Sequence, residues 1–127
     1  GENQLGIDYS NELMNKYPDD PDLYYNVGVL YQRLTMEMFD PVRDLFLQIT
    51  PESDPSTISE IYNSFKTSRQ YAYNAKDYFL QASDLELDEN ISTGEAVYEM
   101  RKLMNQIDEI FIPSIRETAR AAGIDLE

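Results

Sequence analysis

Cysteine, histidine and tryptophan are absent from the 127 residues. Without Cys or His there is no thiol nucleophile, no Cys/His zinc site, no H-E-x-x-H motif and no Ser-His-Asp arrangement. Di-iron carboxylate sites built on Glu-x-x-His are excluded on the same ground. Cations are scarce as well: 10 Lys and Arg stand against 24 Asp and Glu, a formal charge of -14. Such a chain repels a phosphate backbone and an anionic bilayer, so nucleic acid is not an expected partner. No apolar run approaches the roughly 18 residues of a membrane span, and membrane insertion is not expected either. Paired carboxylates of the glycosidase kind remain the one catalytic route open. Nothing in the sequence locates a cleft for them, so the expectation is a non-enzyme with no catalytic residue, no cofactor and no metal. Zero cysteine suits either redox environment and leaves the compartment open.

What the chain does have is a core. Hydrophobic residues make up 42% of it, with 10 Tyr and 5 Phe, enough to exclude a disordered chain despite the charge. Residues 1–127 are read as one domain that needs no covalent or metal staple. Because the helical pattern is under way at the first residues, the chain also reads as a fragment of a longer one.

Four helical segments follow from the spacing of apolar residues, at about 3–16, 21–49, 56–86 and 92–122. In the first, Leu5, Tyr9, Leu13 and Tyr17 recur every four residues before Pro18; no partner for that face is evident, and if it stays exposed it favours a homodimer. The second opens with Asp20 and Pro21, an N-cap followed by a first-turn proline, and carries Leu23, Val27, Leu30 and Leu34 on one face. Pro41 removes a backbone donor inside it, which predicts a kink or two abutting helices. In the cluster TPESDPST, Asp54 before Pro55 or Thr57 before Glu60 can cap the third segment. Its inner face is Ile58, Ile61, Phe65, Ser68, Ala72, Ala75, Phe79 and Ala82. Half of these are small, which lets a neighbour approach closely and predicts a central place. The last segment carries Ala96, Met100, Leu103, Ile107, Ile110 and Phe111, with a kink expected at Pro113 and a stop at Gly123. No strand-type alternation of useful length appears, and the fold class is all-α, antiparallel hairpins with long middle helices.

Two fragments resemble the tetratricopeptide repeat (TPR). In DPDLYYNVGVLY, Tyr24 stands where that family has Trp and Val27 where it has Leu, while Gly28 and Tyr31 match outright. In AKDYFLQASDLELDEN, Ala75, Phe79 and Ala82 match the second helix of the repeat. Gly28 and Ala75 lie further apart than a whole repeat of about 34 residues, so 21–89 is either one lengthened unit or two degenerate ones. The absence of Gly and Pro from FKTSRQYAYNA favours lengthening, and in this the chain is similar to the extended C-terminal unit of bacterial TPR proteins. The resemblance implies a helical array that binds proteins or peptides. It also implies a concave face formed by the first helix of the pair, here Asp22, Tyr25, Asn26, Val29, Gln32 and Arg33. Tyr25 and Val29 would form an apolar shelf, and Asn26 and Arg33 would meet a peptide backbone and a carboxylate.

DLELDENISTGE, residues 84–95, spaces oxygen-bearing side chains like a calcium loop. Asp84, Glu86, Asp88, Ser92 and Glu95 fall on ligand positions, but Glu89 occupies the place where a sharp turn wants glycine. The same letters read more simply as a helix connector in which Ser92 and Glu95 form a capping box and Ile91 staples onto Ala96. The expected function is a non-catalytic protein or peptide scaffold of the TPR type, the alternative an orphan bundle with a calcium-binding connector.

Overall fold

The computed structural model describes residues 1–85 and 91–126, with the backbone alone at 91 and 92. Those residues form an all-α bundle of antiparallel hairpins, with no strand among them. The helices are α1 (Glu2–Lys16), α2 (Pro21–Phe46), α3 (Pro55–Leu85), α4 (Ile91–Gln106) and α5 (Ile112–Ala121), and a π-helical turn, Ile107–Phe111, joins the last two. α3 is central: α2 packs along one flank of it and the α4–α5 rod along the other, while α1 lies on α2.

Local chemistry sets the ends. The Asp20 carboxylate accepts from the Asp22 amide at 3.0 Å and Pro21 occupies the first turn of α2, so an otherwise orphaned donor is satisfied. Asp54 does the same for α3, accepting from the Ser56 amide at 2.9 Å and from its hydroxyl at 2.8 Å. At the far end Gly123 adopts φ 73°, and Ile124 donates back to the Ala119 carbonyl at 2.8 Å; the left-handed glycine ends α5 as a C-terminal stop.

The prolines behave differently from one another. α2 runs unbroken through Pro41 to Phe46, short of the predicted residue 49, although Ile49 still packs on the core. At the other end the disruption precedes Pro113. The Ile112 amide reaches back five residues to the Ile107 carbonyl, because a proline cannot donate to the turn before it and the ring crowds that turn's carbonyl.

Every residue assigned from spacing to the inner face of α3 is buried, from Ile58 through Ala82. Large side chains gather near the α2–α3 turn, where Phe39, Phe46, Phe65 and Phe111 meet with ring centroids 5.0 to 6.1 Å apart. Toward the other end Ala72, Ala75 and Phe79 of α3 meet Val97, Met100 and Met104 of α4. Phe79 rests on Gly28, where an added Cβ would stand 2.7 Å from its ring carbons.

On α1 the stripe for which the sequence shows no partner lies largely in water, and other residues hold the helix. Ile7, Ser10 and Met14 are the residues it buries, whereas Leu5 is 70% exposed, Tyr9 63% and Tyr17 60%. The four-residue stripe is real but points outward; two apolar stripes share one short helix, and the inner one takes the place against Val27 and Leu30.

Candidate interaction surfaces

The six α2 residues assigned to a concave face do not form one surface. Tyr25 lies 5.4 Å from the Phe79 ring and, with Val29, packs on the Ala72, Ala75 and Met100 cluster. Asp22, Asn26 and Arg33 are exposed and Gln32 is half-buried. α2 touches α1 on one side and the α3–α4 core on the other, so an apolar shelf at Tyr25 and Val29 is already largely occupied by the protein itself. Asn26 and Arg33 remain available on the solvent side, two turns apart.

Of the calcium-loop residues, Asp84 and Glu95 are exposed. Glu86, Asp88 and the side chain of Ser92 lie outside the described residues. Among the described residues no group of three or more Asp or Glu is placed to hold a metal ion, and no helix is long and apolar enough to cross a membrane.

Spacing missed a tyrosine cluster between α1, α2 and α3. Tyr31 stacks on Tyr78, centroids 5.7 Å apart and planes 15° from parallel, with Tyr71 at 6.3 Å. The Tyr78 hydroxyl reaches Asn11 of α1 at 3.5 Å, and the Tyr24 hydroxyl donates to the Pro18 carbonyl at 3.0 Å. Burial, and then the neighbouring phenols, push the Tyr31 and Tyr78 hydroxyls above the usual tyrosine range, with Asp8 adding to the effect at Tyr31. A raised pKa in the folded chain means that this contribution to stability is complete below the ordinary tyrosine value of about 10 and is lost as pH climbs through the folded values. Replacing both by Phe should therefore shift the midpoint of alkaline unfolding, followed by circular dichroism, to higher pH. An unchanged midpoint would remove these phenols as the cause.

Polar ties hold the C-terminal rod to α3. The Arg69 Nε donates to Asp108 of the π turn at 2.6 Å. Arg116 of α5 donates to the Tyr62 hydroxyl at 3.0 Å while its guanidinium lies 5.5 Å from the centre of that ring. Both sides of the Arg69–Asp108 pair are about two-fifths exposed, so the pair fixes geometry more than it adds stability.

Large apolar side chains in water include Tyr98 and Ile110 on the outer side of the C-terminal rod and mark two places on the α1–α2–α3 side. One is the outer stripe of α1, flanked by Glu2, Glu12 and Lys16 on the same side of the helix. The other is the groove between α2 and α3 near their connection, where Leu45 is 50% exposed beside Met38 and Pro41. The sequence held a signal for this groove: the α2 face of Val27 and Leu34 continues in period to Met38, Pro41 and Leu45. Comparison of the chain with protein-family models, with curated proteins and with solved structures gave no match in any of the three.

Proposed function

We propose that the protein is a non-catalytic interaction scaffold, a TPR-like pair of lengthened hairpins that binds other protein surfaces through its helices. The observation that carries this reading is the outer face of α1, where Leu5 and Tyr9 stand in water, with Leu13 half-buried and Tyr17 exposed at the C-cap beyond them, while a separate set of residues holds the helix to the body. A second apolar stripe on a helix already anchored adds nothing to the fold of this chain, and its natural use is contact with another. The close seat of Phe79 on Gly28, between buried alanines of α3, supports the kinship with TPR hairpins. The nearest occupant for the stripe is the same stripe of a second copy, two α1 helices crossing face to face.

Light scattering across a concentration series tests this. A reversible dimer is expected, tightening as salt screens the repulsion between two chains of charge -14 and dissolving in the Leu5→Glu/Tyr9→Glu variant. A parent chain that stays monomeric at high salt and high concentration, matched by the variant, would strike the α1 face from the reading.

A further inference from the structure

α1 covers only part of the groove it lies in. Val27, Leu30 and Leu34 of α2 take the contact with α1, and Tyr78 of α3 borders it. Both walls run on past that contact. On α2 the same helical face continues at Met38, Pro41 and Leu45; on α3, seven-residue steps from Tyr78 lead through Tyr71 to Ser64 and Thr57. α1 has 15 residues and α2 has 26, which at 1.5 Å per residue are about 22 Å and about 39 Å long. The side chain of Asn3 donates to Glu37 at 3.1 Å, so α1 starts where the open part begins. Past Glu37, α2 has nine residues left before it ends at Phe46, so about 14 Å of groove stays uncovered, roughly two and a half helical turns.

That open part has its own chemistry. It is a recess of about 180 Å³ with Met38, Pro41 and Leu45 on one wall and Ile61 and Ser64 on the other. Short side chains at Thr57 and Ser64 leave depth between the walls. The rims are acidic, Glu37 on α2 and Glu60 on α3. Arg43, the cation on this stretch of α2, is held by Asp40 and Asp44 at 3.7 and 3.8 Å. An apolar floor between acidic rims, continuous with a place where a helix already lies, fits a helix with an apolar stripe and cationic flanks.

We propose that this open part of the groove receives a basic amphipathic helix of about two and a half turns from another protein, docked end to end with α1. The inference rests on the scaffold reading and gives its partner a chemical class, on a surface separate from the outer face of α1. A second copy is the poorer occupant, because it would bring a chain of charge -14 onto acidic rims.

The test titrates the whole chain with a synthetic helical peptide that carries leucines at i, i+3 and i+7 and lysines on both flanks. Its controls keep the leucines with glutamates on the flanks, or scramble the order. Saturable binding of the lysine peptide alone is expected, with amide shifts at Met38, Leu45, Ile61 and Ser64. Glu60→Lys should weaken it about tenfold or more, as loss and reversal of a close charge pair does, and Leu45→Asp should abolish it. Both positions are solvent-exposed and a thermal melt confirms that each variant folds. Equal binding of the glutamate or scrambled peptide, shifts confined to α1, or no saturation would overturn the proposal. So would a dimer that Leu45→Asp dissolves, since the occupant would then be a second copy. Repeating the titration on the Leu5→Glu/Tyr9→Glu chain separates the two surfaces: retained binding there leaves the groove standing whatever becomes of the α1 face.

Discussion

Phe65→Ala is expected to cost about 3–5 kcal/mol of unfolding free energy, the range for deleting a fully buried aromatic side chain. Phe65 has no exposed surface and sits at the centre of the phenylalanine group. It stacks on Phe111 at 5.0 Å and 26°, and meets Phe46 at 5.6 Å and Phe39 at 6.1 Å. These neighbours come from α2 and from the π turn, so removing the ring opens a void that three separate pieces of backbone would have to close. The loss is comparable with the whole stability of a marginal domain, about 5–15 kcal/mol. At about 4 °C per kcal/mol for a chain of this size, the melting midpoint should fall by roughly 12–20 °C. Urea melts of parent and variant check this. A loss below about 1.5 kcal/mol would mean that the rings do not pack as described.

Gly28→Val is the second large effect and acts in the opposite sense, by filling space instead of emptying it. The new Cβ would stand 2.7 Å from two carbons of the Phe79 ring and 3.1 Å from a third. Phe79 is fully buried, with Tyr25 5.4 Å away, and a rigid ring cannot move aside as the end of an aliphatic chain can. Overpacking of this kind costs about 1–3 kcal/mol, and the two extra methyl groups of valine place the expected loss near about 3 kcal/mol. Trimming the obstruction should restore part of it: Gly28→Val with Phe79→Leu is expected to be less damaged than the sum of the two single changes, a coupling of about 1 kcal/mol or more. Gly6→Ala supplies the contrast. Its Cβ would approach the Leu30 Cδ1 at 2.9 Å, the flexible tip of a side chain, so the helix-propensity gain of about 1 kcal/mol over glycine offsets most of the crowding. Strict additivity in the Gly28 and Phe79 pair would show that the two helices do not meet there.

The difference between these glycines explains how far the sequence could be read. α3 has neighbours on both flanks and its inward positions, Ile58 through Ala82, follow a single periodic line that spacing alone reveals. Asp20, Asp54 and Gly123 announce their roles because caps and stops are local chemistry. α1 is less legible. Leu5, Tyr9 and Tyr17 form a regular stripe, Ile7 and Met14 form another, and no local rule decides which one meets α2. The steric fit of Ile7 and Met14 among Val27, Leu30 and Tyr31 does. The candidate surface on α2 was harder still. Tyr25 and Val29 look exposed when one apolar stripe is assumed, but a helix between two neighbours buries two faces, and the second neighbour enters from Phe79 and Met100, far along the chain. Asn26 and Arg33 are accessible for the plainer reason that no element among the described residues lies over that side.

The widened turn at Ile107–Phe111 decides which residues of the last helix are hidden. One extra residue in a turn rotates everything after it by about 100° relative to an uninterrupted helix. With the turn as it is, Ile115 and Ala119 reach the core. Wound one residue tighter, the same rod would present Ser114 and Thr118 there instead, two hydroxyls in place of an isoleucine and an alanine. The C-terminal anchor therefore depends on a phase offset in the backbone: one residue gained between Asp108 and Ile110 would turn Ile115 and Ala119 off the core by about 100°, whereas one lost there would be absorbed as the wide turn closes to an ordinary one.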